Sequence, residues 1–174
     1  MSKSVSFWQV FGFLFTSVMG TFLHFLYDLS SQSVIAGLFS AVNESIWEHM
    51  KLVFFPMAVF TLIQYYFWEK RRPGFWCVKL AGIVLALVLI PVLYYTYTGV
   101  LGVSADWVNI GIFFIAAGAA YLLEYWLFTQ AFSCRLSSIG AIAVICLLAL
   151  VFIVFTFMPP QVPLYEDPVT GSYG

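Results

Sequence analysis

The sequence predicts an all-α integral membrane protein, a bundle of five transmembrane helices. Three observations carry that prediction. Of 174 residues only 7 are Lys or Arg and 8 are Asp or Glu, so charged side chains make up 9% of the chain, where an ordinary soluble domain carries about 25%. The hydrophobic set reaches 63%, and Phe, Tyr and Trp together reach 20%, which leaves too few polar groups to clothe a soluble surface. The apolar residues also gather into five stretches of roughly 17 to 22 residues, about 25 to 33 Å as helix, which matches the hydrocarbon core of a bilayer. The same numbers exclude a soluble enzyme and a disordered chain. A net charge of −1 offers no field for nucleic acid, and three Cys make no disulfide scaffold. Alternating apolar/polar decamers, the mark of a membrane β-barrel, are absent. Helices are the remaining way to satisfy the backbone in lipid.

A membrane domain, residues 1–158, holds the five spans. The first, about 7–27, follows Lys3 and is read as a retained anchor. Its apolar run is longer than a signal-peptide core, and no A-x-A-like site follows it. A Ser-rich loop comes next. Ser40 or Asn43 then caps a short outer helix through Glu44–Lys51 that leads into the second span, about 52–68. The third span covers about 80–98, and Pro56 and Pro91 should kink the second and third spans by removing a backbone bond. The fourth, about 107–128, carries Glu124 near its end, where Arg135 is the expected partner. The fifth covers about 139–158. The tail, 159–174, contains four prolines and a turn at 167–171. Leu164, Tyr165 and Tyr173 give that tail apolar anchors, so it is expected to fold back over the outer mouth as a lid.

The basic residues orient the chain. With five crossings, Lys3, Lys70, Arg71, Arg72, Lys79 and Arg135 fall on one side, which the positive-inside rule makes cytoplasmic; only Lys51 falls on the other. Asp28, Glu44, Glu48, Asp106, Glu166 and Asp167 all fall outside. Trp8, Tyr65, Tyr66, Trp68, Trp76 and Trp126 form an inner aromatic belt. Tyr94, Tyr95, Tyr97 and Trp107 form an outer one. The expected location is the plasma membrane, N-terminus inside and C-terminus outside. Cys77 and Cys134 then face the reducing side, and no disulfide is expected.

The chemistry gathers at the outer mouth. Ser17, Gly20, Thr21, His24 and Asp28 form one helical stripe on the first span, and such a stripe of small and polar residues faces protein rather than lipid. Glu44, Glu48 and His49 follow on the next segment. The candidate metal ligands are His24, Asp28, Glu44, Glu48 and His49, and the candidate catalytic carboxylates are Glu44 and Glu48. Nitrogen with several oxygens suits a divalent metal such as zinc. The plain reading stands beside this one: interfacial carboxylates touching water, a neutral His bonded to its own helix, and an i,i+3 pair of Glu48 with Lys51. Asn43-Glu-Ser45 matches a glycosylation pattern, but it lies too near the membrane and reads better as a cap.

Two segments, Val42-Asn-Glu-Ser-Ile-Trp-Glu-His49 and Pro163-Leu-Tyr-Glu-Asp-Pro-Val-Thr-Gly-Ser-Tyr-Gly174, resemble a family of small bacterial multi-pass membrane proteins with no assigned function. The resemblance covers most of the chain. It implies a bacterial plasma membrane and carries over no reaction. Three functions stay open. One is a metal site opening outward, as in an intramembrane hydrolase acting on a lipid or peptide. Another is a small transporter, or a membrane subunit that binds a cation or small solute. The last is a non-catalytic assembly protein. The expected partners are the lipid bilayer and a membrane-embedded protein or second copy, with no nucleic acid.

Overall fold

The computed structural model describes residues 2–67, 74–130 and 132–173. Among them are six helices and no strand: α1 (Ser2–Leu29), α2 (Val34–Gly37), α3 (Ile46–Phe67), α4 (Phe75–Leu101), α5 (Asp106–Thr129) and α6 (Ser138–Phe157), then a 3-10 turn at Pro163–Tyr165. Five of the helices are long and apolar enough to cross a membrane. Trp68, Lys70, Arg71 and Arg72, used above for the belt and the orientation, lie outside the described residues.

α1, α3, α4 and α5 form a closed ring of neighbours, and α6 leans on α3 and α4 from outside. The sequence explains the difference. α3 holds most of the core, with Val53, Phe54, Met57 and Phe60 fully buried, whereas α6 buries only Ala141 and Phe152. Small residues let the ring close: Ala116, Ala117 and Ala120 of α5 are each fully buried. Gly12 lies so close to its neighbours that an added Cβ would come within 2.5 Å of the Phe60 and Tyr121 rings.

Several boundaries differ from the sequence reading. The expected short outer helix and second span are one helix, α3, starting at Ile46. Its cap is Ser45, whose hydroxyl accepts from the Glu48 amide at 3.3 Å, while Asn43 Oδ1 accepts from the Ser45 amide at 2.9 Å. Ser40 is engaged elsewhere, accepting from the Tyr27 amide and donating to the Leu23 carbonyl. The one-turn α2 sits in the Ser-rich loop. Helical structure runs unbroken through Pro56 and Pro91. Pro56 has no N–H for the Leu52 carbonyl, and α1 passes close by: a Cβ on Gly20 would lie 2.7 Å from that oxygen.

A disulfide joins Cys77, in the first turn of α4, to Cys134, in the α5–α6 connection, with Cα atoms 6.4 Å apart. The structure thus has a disulfide where the sequence reading expected none. That expectation weighed only the redox compartment, whereas the packing of α4 on α5 brings the two residues together.

Candidate functional site

Three side chains from three segments meet at the Asp106 end of the ring. His24 projects from the last turns of α1, Glu44 from the connection before α3, and His49 from the first turn of α3. One ligand atom from each lies within 4.8 Å of the other two. His49 Nε2 is 3.4 Å from Glu44 Oε2, His24 Nε2 is 4.0 Å from Glu44 Oε1, and the imidazole centroids are 5.6 Å apart. Glu44 is half exposed, and the two histidines are partly buried beneath it.

Hydrogen bonding fixes how His49 is used. Its Nδ1 lies 2.9 Å from the Ser45 carbonyl oxygen, which can only accept, so Nδ1 carries the hydrogen. In neutral imidazole Nε2 then has its lone pair toward the Glu44 carboxylate, and two acceptors face each other. Only a cation between them, a proton or a metal, makes that contact favourable. A backbone carbonyl anchoring the far ring nitrogen is also the usual support for a metal-bound His. His24 Nδ1 is buried without a hydrogen-bond partner.

The group opens onto a cavity of about 510 Å³ between the ends of α1 and α5. Asp106 and Asn109 face it from the first turn of α5, while Phe25, Ile110 and Phe114 form its apolar side. Pro168 and Val169 of the tail also line it. Two of the three expected anchors of the tail, Leu164 and Tyr165, pack against the bundle, while Tyr173 is exposed. Tyr165 is buried with its ring 4.7 Å from that of Trp47 and 5.6 Å from that of Phe155. Asp167 closes the turn, accepting from the Val169 amide and the Thr170 hydroxyl, each at 2.9 Å.

The remaining candidates lie apart from this group. Glu48 is buried and pairs with Lys51 at 2.6 Å; Lys51 also donates to the Gly37 carbonyl and the Thr156 hydroxyl, and the Val42 amide donates to Glu48. Glu48 therefore ties α3 to the loop before it and to α6. Asp28 is exposed near the end of α1.

One family model matches residues 1–174. The protein belongs to DUF6512, a family of unknown function. No curated protein and no solved structure matches the chain. Membership in DUF6512 thus supplies no reaction, and the chemistry of this member rests on its residues.

A second polar group in this DUF6512 protein was not anticipated. Lys79 and Glu124 are both fully buried and pair at 2.5 Å, with Lys79 also donating to Gln64 Oε1 at 3.1 Å. Arg135, the partner expected for Glu124, is exposed in the α5–α6 connection. The error was one of boundary: α4 begins at Phe75, so Lys79 is inside the helix rather than in a loop. One turn above Glu124, the Tyr121 hydroxyl is 2.8 Å from that of Thr16 on α1.

Proposed function

We propose that this protein is a multi-pass plasma-membrane metalloprotein in which His24, Glu44 and His49 hold a divalent cation such as zinc at the extracytoplasmic mouth. The cation would activate a water for hydrolysis. The observation that carries this reading is the facing of His49 Nε2 and Glu44 Oε2 at 3.4 Å with the hydrogen of His49 committed to Ser45. Bonds of about 2.0 to 2.1 Å at tetrahedral angles place neighbouring ligand atoms about 3.3 Å apart. The His49–Glu44 spacing already meets that value, and His24 need only swing inward. Two histidines and one glutamate leave the fourth position of a tetrahedral zinc open, the ligand pattern of catalytic rather than structural sites. That position would face the cavity, where a bound water ionises near pH 7 and Asp106 is the carboxylate available as base. Glu48 does not serve, because Lys51 and the Val42 amide occupy it.

The orientation rests on the distribution of bases, with the metal group on the side opposite Lys3 and Arg135. The test is elemental analysis of the purified full chain. Near-stoichiometric zinc is expected in wild type, falling at least tenfold in His49→Ala and in the pair His24→Ala with Glu44→Gln. Metal-free wild-type protein after preparation in zinc without chelator, confirmed by zinc titration, would refute the reading.

A further inference from the structure

The cavity is graded in polarity along α5. At the first turn of α5 it is lined by Asp106 and Asn109, with Ser104 just before them. Ile110 and Phe114 lie four to eight residues further along, about 6 to 12 Å deeper. On α1 the lining residues are Gly20, Thr21, His24 and Phe25, so the gradient belongs to α5. The apolar lining residues are open to the outside of the bundle, with Phe25 54%, Ile110 58% and Phe114 37% exposed. On a helix crossing a bilayer such side chains face acyl chains. In a bilayer a change from polar to apolar belongs to the interfacial layer, about 5 to 8 Å thick on each side of the hydrocarbon. His24, Glu44 and His49 sit at that change.

The charges select further. Glu44 and Asp106 line the cavity, and among the described residues no Lys or Arg does; the nearby base, Lys51, is held by Glu48. A divalent cation would be balanced by these two carboxylates, leaving no positive charge for an anionic headgroup. A volume of about 510 Å³ accepts a lipid headgroup with its glycerol. A membrane-spanning peptide would arrive as a helix about 10 to 12 Å across and would have to unwind to bring its backbone to the histidines.

From these observations, and resting on the metal reading above, we infer that the substrate is an ester-linked, zwitterionic, amine-headed glycerolipid of the outer leaflet, admitted sideways between α1 and α5. Its ammonium lies at the polar end beside Ser104 and Asn109, which leaves Asp106 free as base, its ester reaches the histidine level, and its acyl chains stay in the bilayer beside Ile110 and Phe114. The water oxygen bonds to the acyl carbonyl carbon, and the bond from that carbon to the glycerol oxygen breaks. The proton taken by Asp106 passes to that glycerol oxygen. The products are a fatty acid and a lysolipid, with no oxidant or second substrate consumed.

The experiment uses the full chain in zinc-loaded nanodiscs of phosphatidylethanolamine or phosphatidylglycerol, with fatty acid and lysolipid quantified by mass spectrometry and zinc measured in the same samples. Release from phosphatidylethanolamine is expected to exceed release from phosphatidylglycerol at least tenfold. Ile110→Trp, which narrows the lateral opening away from the metal ligands, should lower release at least tenfold while keeping its zinc. Zinc bound with no lipid turnover above empty nanodiscs would overturn this inference and leave the metal reading standing. So would equal release from both lipids, or full activity in zinc-loaded Ile110→Trp. A chain that takes up no zinc refutes the metal reading itself.

Discussion

At the scale of single residues, Gly20 carries more than its size suggests. It sits where α1 crosses the Leu52 carbonyl that Pro56 leaves without its helical partner, and a Cβ there would also come within 2.5 Å of the Phe113 ring. Gly20→Ala must therefore push α1 away from backbone, not from a movable side-chain tip. Overpacking of this kind costs about 1 to 3 kcal/mol. The expected result is a lower unfolding temperature in detergent together with weaker zinc binding, because His24 lies one turn further along the same helix. Unchanged zinc affinity would separate helix packing from the site. Tyr165 gives a second residue-scale prediction. Burial pushes its hydroxyl up to about 12 from an ordinary 10.0. A folded value above the unfolded one means that the docked tail is stabilised below pH 10 and loses that stabilisation as pH climbs toward 12. Fluorescence of Trp47, whose ring lies 4.7 Å from that of Tyr165, should report undocking over that window, and Tyr165→Phe should abolish the transition.

At the scale of elements, the buried pair Lys79–Glu124 joins α4 to α5, and Gln64 brings in α3. Removing one partner leaves a buried charge alone, a loss of about 3 to 5 kcal/mol, whereas replacing both by apolar side chains of similar volume costs far less. Lys79→Met and Glu124→Leu should each lower the thermal midpoint more than the double variant does. If the double variant is instead as unstable as the sum of the singles, the pair is not acting as a unit. These elements also show how much was legible beforehand. Five apolar stretches stood out because a bilayer imposes length and composition on each helix separately, and the structure has a helix at every one. Helix starts were less legible, because a helix that leaves lipid can continue through charged residues: Lys79 looked like a loop residue only because it is charged. A local signal for α3 was overlooked. Ser45-Ile-Trp-Glu48 has the capping-box spacing, and it marks the start of the helix better than Ser40 or Asn43. For the candidate site, the sequence placed His24, Glu44 and His49 at one end of the molecule. It could not tell them from Glu48 and Asp28, because that choice depends on partners distant in sequence: Thr156 and Gly37 for the Glu48–Lys51 pair, and the α1–α3 crossing for the histidines.

At the scale of the whole molecule, two observations pull in opposite directions. The orientation proposed from the distribution of bases puts Lys3 and Arg135 on the cytoplasmic side, while Cys77 and Cys134, joined by a disulfide in the structure, lie at that same end. Disulfides persist in oxidising compartments and are rare in the cytosol. The proposed orientation follows the bases. Charge on short loops acts during insertion, when topology is set, whereas two thiols held with their Cα atoms 6.4 Å apart need only an oxidant to close later. In intact cells Cys77 and Cys134 are therefore expected to be dithiols, to resist a membrane-impermeant maleimide added from outside, and to be protected from alkylation once isolated membranes are oxidised. Cys146, on α6, serves as the internal reference because it is free and exposed on the apolar face. Labelling from outside, or a bond already closed in cells, would invert the molecule. His24, Glu44 and His49 would then open toward the cytoplasm, and the lipid inference would have to move to the inner leaflet.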